Sequence, residues 1–366
     1  MKSAILHDWL VGFRGGERVL DAICELLPDS PLYTLIYNPK TTSDIIENRK
    51  IVTSFLNKLP NIYSNYRNYL PLFPYATEQI KIDSDTEFIF SSSHCTIKGI
   101  KKNLPETKHV CYIHSPMRYM YDQYDNYFGP HAPLHVQLGA KIFRNYLTNW
   151  DIRSNTNVDH FIANSNFVKK RIENFYKRDC SVIYPFVDLN DFSNIPETTV
   201  KADYYLMVTA FAPNKRVDLA IETFNDLNQQ LIIIGSGQNE AVLKNKAKKN
   251  IRFLGNLDRH SVIQYMSKAK GFIFPGVEDF GITPLESLAA KTPVIAFKAG
   301  GVLETLNESN SIFFNEPTSD SLKNAILEFE KMTFKHDSLI DSVQKFSREN
   351  FQSNIKNTMA HFGYKK

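Results

Sequence analysis

The sequence predicts an α/β protein made of two doubly wound domains, and three observations carry that prediction. Short apolar runs alternate with stretches of helical apolar spacing, the rhythm of parallel sheets covered on both faces. The rhythm occurs twice, before and after a polar, proline-containing linker at residues 190–202. The length of 366 residues is that of about two domains. Ligands bind outside the C-terminal ends of such strands, so the two domains are expected to face a shared cleft.

In the first half, Ser3–Leu6 reads as a strand. The glycine-containing stretch Gly12-Phe13-Arg14-Gly15-Gly16 follows, then a helix over 17–27 with Val19, Leu20, Ile23, Leu26 and Leu27 at helical spacing. Strand, glycine turn and helix aim backbone N–H groups at a ligand, although the G-x-G-x-x-G dinucleotide pattern is not met. Further strands are expected at Ser30–Tyr37, Phe88–Ser92, Lys108–Ile113 and His160–Ile162, with a helix at Asn166–Tyr176. Residues 63–75 and 112–150 hold ten of the 18 tyrosines, and 119–127 has no clean apolar period. Two readings stand: irregular loops packed on the core, or a flat apolar surface for a carbohydrate or amphipathic acceptor.

A boundary is expected near Tyr184–Asp188. In the second half, strands are expected at Tyr204–Val208, Leu231–Ile234, Ile251–Leu254, Gly271–Phe274 and Val294–Phe297. Helices fit at Val217–Asn225 and Ser261–Ala269, and a final helix over 338–362. The expected domains are 1–186, 187–345 and a C-terminal helix, 346–366, that crosses back onto the first domain.

Four features fall at strand ends of the second half. Lys215 and Arg216 are cations at a helix N-terminus, where the macrodipole disfavours them unless an anion lies between. Gly235-Ser236-Gly237 and Gly300-Gly301 are glycine turns, and with the cation pair they read as a diphosphate cradle. Between them lies Pro275–Glu286, where Glu278 sits in a glycine loop and faces a ligand. Thr283-Pro284-Leu285-Glu286 fits a capping box, with Thr283 as N-cap, Pro284 at the first helical position and Glu286 bonding back to the cap. In the first half, His114 follows a strand and heads His114-Ser115-Pro116-Met117-Arg118, and Ser91-Ser92-Ser93-His94 ends another.

The bulk properties exclude several classes. No run of about 18 apolar residues is present, and charge enters too early for a signal peptide. Cys24, Cys95, Cys111 and Cys180 are widely spaced, as free thiols of a cytosolic protein would be. The net charge of +4 lies in residues 1–186, which carry 22 Lys+Arg against 18 Asp+Glu. That weakly favours an anionic partner or membrane surface there. No metal-ligand pattern and no G-x-S-x-G elbow is found, and no nucleic-acid partner is expected.

These residues resemble a family. Pro275–Glu286, with glutamates at 278 and 286, resembles the donor-site motif of retaining family 4 glycosyltransferases of the GT-B fold, two Rossmann-like domains about a cleft. Pro213-Asn214-Lys215, Phe253-Leu254-Gly255 and Gly300–Glu304 match as well, and Arg14–Leu20 resembles the acceptor-side glycine loop. Ser91–His94, His114–Tyr119, Ile162–Ser165 and Val182–Asp188 look like the branch of O-antigen and exopolysaccharide mannosyltransferases.

The resemblance implies retaining transfer of a hexose, mannose from GDP-mannose, onto a lipid-linked saccharide acceptor in surface-polysaccharide synthesis. It implies no metal and no cofactor, the nucleotide-diphosphate sugar being a co-substrate. Glu278 would hold sugar hydroxyls, Glu286 the ribose, and Lys215 the diphosphate, with His114 as a further catalytic residue. Gly15, Gly16, Arg216, Gly237, Phe280, Gly281, Ile282 and Thr283 would contact the donor, and Glu17, Arg118, Tyr119 and His94 the acceptor. Where the family often carries an arginine, five residues before the lysine, this chain has Ala210, and Arg216, Arg14 or Arg118 could compensate. A cytoplasmic protein, peripheral at the inner membrane face, is implied. The alternatives are a nucleotide-sugar epimerase or hydrolase of the same architecture, and a non-catalytic nucleotide-sugar-binding protein.

Overall fold

A computed structural model describes residues 1–130, 132–196, 199–237 and 239–365; residues 197 and 198 of the expected linker lie outside it. The chain forms two compact units, Met1–Pro185 with Glu349–Lys366, and Phe186–Arg348.

The first unit holds β1 (Ser3–Leu10), β2 (Leu32–Tyr37), β3 (Ile51–Thr53), β4 (Phe88–Ser93), β5 (Lys108–Ile113), β6 (His160–Ala163) and β7 (Cys180–Val182). They form one parallel sheet in the order β3-β2-β1-β4-β5-β6-β7. The second unit holds β8 (Tyr205–Val208), β9 (Leu231–Ile234), β10 (Ile251–Gly255), β11 (Gly271–Phe274), β12 (Val294–Phe297) and β13 (Ser311–Phe314). They form a parallel sheet in the order β10-β9-β8-β11-β12-β13. Central strands such as β4 and β11 are buried at every residue, as expected of strands with both faces covered. Both are Rossmann-like sheets whose order reverses beside the first strand, at β1/β4 and at β8/β11. Crevices open at such reversals, outside the strand C-termini.

Three edge or near-edge strands, β3, β7 and β13, were not expected. β3 and β7 are only three residues long and carry no apolar run for a period to reveal. A larger departure is the 21-residue helix Leu134–Ser154, inside the aromatic stretch read as loops or an acceptor surface. Its apolar residues surround most of its circumference, which erases the helical period. The final helix is also broken, into His336–Val343 and Arg348–His361 with a 3-10 turn between. In the first unit the second piece sets Phe351 edge-on to Tyr112, and Phe362 stacks on His160 with ring centroids 4.4 Å apart.

The long helix is fixed by a buried ion pair. Lys98 Nζ lies 2.5 Å from Asp151 Oδ1, both side chains being sealed from solvent. Tyr121 donates to the other carboxylate oxygen at 2.7 Å, and the ammonium stands over the Tyr176 ring. Gly99 lets the helix approach, since a Cβ there would sit 2.4 Å from Trp150. Removing one partner of a buried pair strands the other charge, which costs about 3–5 kcal/mol. Lys98→Met should cost that much, and Lys98→Met/Asp151→Leu should recover part of it. Tryptophan fluorescence in urea reads this unit alone, because both tryptophans, Trp9 and Trp150, belong to it. A single mutant with the wild-type midpoint would refute the assignment.

Candidate functional site

In the second unit, four strand-end loops meet through backbone contacts that exclude side chains. A Cβ on Gly276 would stand 2.3 Å from the Asn214 carbonyl oxygen and 2.8 Å from Lys215 Cα. Val277 N–H donates to that carbonyl at 3.1 Å. Gly300, at φ 84°, would place a Cβ 2.6 Å from the Glu278 oxygen, to which Gly301 N–H donates at 2.9 Å. A Cβ on Gly235 would be 1.8 Å from the Thr209 oxygen, and one on Gly237 would be 2.8 Å from Phe211 N. The loops after β8, β9, β11 and β12 are therefore one packed body. Gly237 and the Gly300-Gly301 pair, expected to cradle phosphate, are the joints of this body.

That body brings Lys215 against Glu278. The ammonium and the carboxylate are in direct contact, both half-buried, over a small pocket that Thr209 and Gly276 also line. Lys215 ends a 3-10 turn, Pro213–Lys215, and Arg216 takes a left-handed conformation, φ 52°, as cap of the helix Val217–Leu227. Arg216 Nε lies 3.2 Å from Asp218. Each cation expected to suffer at this helix start thus has an internal carboxylate. Ala210 is exposed, its carbonyl accepting from Ala212 N–H at 2.9 Å.

The capping box at Thr283 is not formed. The helix runs Ile282–Ala289, with Gly281 as its left-handed cap at φ 88°. Thr283 is then the second helical residue and Pro284 the third, and Glu286, the fifth, is two positions past the one from which a side chain reaches back to the cap. The amides of the first turn, Ile282 and Thr283 among them, have no acceptor within the helix. Phe280 is buried, edge-on to Phe346. Glu286 instead accepts from Arg259 Nη1 at 2.6 Å, and Arg259 Nε donates to Asp191 at 2.9 Å. Arg259 and Asp191 had no sequence signal, being 27 and 95 positions from Glu286.

In the first unit, the reversal between β1 and β4 gathers three histidines. His7 Nδ1 lies 2.9 Å from the Ser92 carbonyl, so it carries the proton and leaves Nε2 bare. Ser92 Oγ is 2.8 Å from His114 Nε2. His94 has ring centroids 6.0 Å from His7 and 6.1 Å from His114, and Trp9 meets it edge-on at 4.2 Å. Burial first, and then the neighbouring rings, hold His7 down at about 4 and His114 well below the usual histidine range. Burial lowers His94 as well. All three are neutral at pH 7. Among the described residues, no group of three His, Cys, Asp or Glu side chains could hold a metal ion.

The residue that sequence reasoning missed here is Asp8. Its fully buried carboxylate accepts from His94 N–H at 2.7 Å, Cys95 N–H at 2.9 Å, Ile97 N–H at 2.9 Å and Ser93 Oγ at 3.0 Å. A carboxylic side chain inside an apolar strand was the available signal. Gly15 and Gly16 open the helix Gly15–Leu26, with Gly16 against the His114 ring. Glu17 accepts from Arg14 N–H at 2.9 Å, which gives it a capping role, and burial raises its carboxyl above the usual range. Tyr119 turns its hydroxyl to Cys95 Sγ at 3.1 Å and packs on the core. Arg118 is half-buried and adds to the positive field on His94.

Two family sequence patterns match the chain, Glycosyltransferase Family 4 over residues 13–191 and Glycosyl transferases group 1 over residues 190–346. The chain is 29% identical over 202 residues to an uncharacterized glycosyltransferase of Methanocaldococcus jannaschii, covering 53% of this chain and 56% of that protein. It is 26% identical over 213 residues to the O-antigen chain mannosyltransferase of Salmonella typhimurium, covering 55% and 59%. It therefore spans less than two thirds of the length of these relatives. The crystal structure of Anabaena HepE in complex with UDP and glucose shares the fold, with a TM-score of 0.71 over 98% of this chain and 99% of that one at 16% identity.

Gly276→Ala should push the 213–216 loop away and cut any activity of this site at least tenfold, since overpacking of this kind costs about 1–3 kcal/mol. Gly12→Ala, with nothing within 4 Å of the added carbon, should change neither activity nor stability. Equal effects of the two would sink the packing argument. A second outcome concerns pH. His7 and His109 are both held at about 4, below the unfolded value of about 6.5. Their stabilising neutrality is complete above pH 6.5 and is lost as pH falls toward 4, by about 3 kcal/mol each at most. Tryptophan-monitored urea midpoints should fall over that window, and a flat profile would contradict it.

Proposed function

The chain belongs to the family 4 glycosyltransferases of the GT-B fold, and from that premise we propose that it is a retaining, metal-independent hexosyltransferase. The reaction moves mannose from GDP-mannose onto a lipid-linked saccharide in surface-polysaccharide synthesis, at the cytoplasmic face of a membrane. The observation that carries the reading is the Lys215–Glu278 pair, set at the strand ends beside the open first turn of the Ile282–Ala289 helix. The similarity to an O-antigen chain mannosyltransferase supports the sugar and the pathway class.

The chemistry follows from charge. The bond from the anomeric carbon to the diphosphate breaks with its electron pair passing to the phosphate oxygen, while the sugar takes on oxocarbenium character. Sugar hydroxyls donate to Glu278, which releases the Lys215 ammonium toward the diphosphate. Lys215 and the amides of Ile282 and Thr283 then meet the charge as it grows, stabilising the transition state more than the ground state. Glu286, oriented by Arg259, accepts from the ribose hydroxyls. With Ala210 in place of an arginine, Lys215 carries the cationic part of this work among the side chains of its loop. On the acceptor side, neutral His94 and His114 offer imidazole nitrogens to hydroxyl groups.

Lys215→Ala and Glu278→Ala should each lose about 10²–10³ in turnover while remaining folded. The assay is GDP-mannose consumption with and without a lipid-diphosphate saccharide. Near-wild-type turnover in either variant would overturn the site. Consumption that ignores the acceptor would mean an epimerase or hydrolase, and binding without consumption a non-catalytic protein. Response to a UDP-sugar but not to GDP-mannose would overturn the donor.

A further inference from the structure

We propose that the outward face of the Leu134–Ser154 helix is a seat for an anionic lipid surface. Leu134, Leu138, Ile142 and Tyr146 are 71%, 54%, 70% and 43% exposed. Their spacing of four stacks them in one ridge about 18 Å long. The ridge lies opposite the buried face formed by Ala140, Leu147, Trp150 and Ser154. On an ordinary surface helix that outer face is polar.

The exposure does not come from loose packing. The inner face is held by the Lys98–Asp151 pair, by Tyr121 on the same carboxylate, and by Trp150 Nε1 donating to Glu78 at 2.7 Å. Apolar surface continues past that last bond: Tyr75, one turn before Glu78, is 55% exposed, and Phe55 packs against it.

Charge selects the occupant. The helix carries Lys141, Arg144 and Arg153, and its one carboxylate, Asp151, is buried on Lys98. Every exposed charge on it is therefore cationic, with Lys141 beside the ridge and Arg153 about two turns past Tyr146, whose other charged neighbour, Glu78, is held by Trp150. An apolar ridge bordered by cations matches the acyl and headgroup layers of an anionic bilayer, into which such a helix sinks by about 5–10 Å. A second copy of the chain would bring like charges together. It would also require about 800 Å² per partner, drawn from roughly 20–30 residues, where one helix ridge offers a handful. No described helix is long and apolar enough to cross a membrane, so the contact is one of lying on the surface.

This surface deepens the proposed acceptor reading and rests on it only for its biological meaning. Vesicle binding and sugar transfer are separate measurements, so either can fail alone. The test is flotation with phosphatidylcholine vesicles, with and without phosphatidylglycerol. The wild-type chain should float with the anionic vesicles, and the bound fraction should fall as salt screens the attraction. L134Q/L138Q/I142Q should lower the bound fraction about tenfold without changing circular dichroism or transfer to a soluble acceptor. K141E/R153E should lose the preference for anionic lipid, which keeps the test open should the triple variant misfold. No flotation, equal binding to neutral vesicles, unchanged binding of both variants, or a dimer that the triple variant dissolves would each overturn the proposal.

Discussion

In the second unit everything at the strand ends depends on backbone lying against backbone. Gly276 sits on the 214–215 peptide, and Gly300 and Gly301 sit on the 278–280 chain, at distances that no Cβ would permit. Those contacts set the separation of three loops. The separation in turn decides whether Lys215 and Glu278, 63 residues apart, can touch. The glycines are therefore structural in a strict sense: they fix where charge can be.

The first unit reaches the same end by other means. There a single carboxylate, Asp8, gathers three consecutive-turn amides and a hydroxyl from residues 93–97. A buried carboxylate is costly to desolvate, and charge-assisted hydrogen bonds are what offset that cost. The loop it holds carries His94, and the adjacent strand residue His7 lines up with Ser92 in the sheet register. Charge placed inside an apolar strand thus orders residues 93–97, a stretch without a glycine.

Much of this could be read from the residues. The alternation of apolar runs and amphipathic helices locates the inner strands of both sheets, and the loop at 275–286 stands out because a strand, glycines and a helix start coincide there. The misses share a physical cause. Edge strands such as Ile51–Thr53 are too short to show a period. The Leu134–Ser154 helix is apolar on both sides, so its period vanished, and the same property gives it an exposed ridge. Thr283 met every local requirement of an N-cap, yet Gly281 took the position, because the left-handed turn that joins β11 to the helix is set by packing against Val302. Arg259 could not have been found, since nothing local ties it to Glu286.

The contact between Lys215 and Glu278 means that the pocket supplies its own counterion. A simple inorganic anion would have to part the two charges and would leave the carboxylate with nothing in return. A molecule that brings an anion for the lysine and hydroxyl groups for the glutamate satisfies both halves at once. On the proposed reading the site would work as an exchange, in which one internal partner is traded for two external ones. Discrimination against bare phosphate would then precede any contact with a base or a sugar ring.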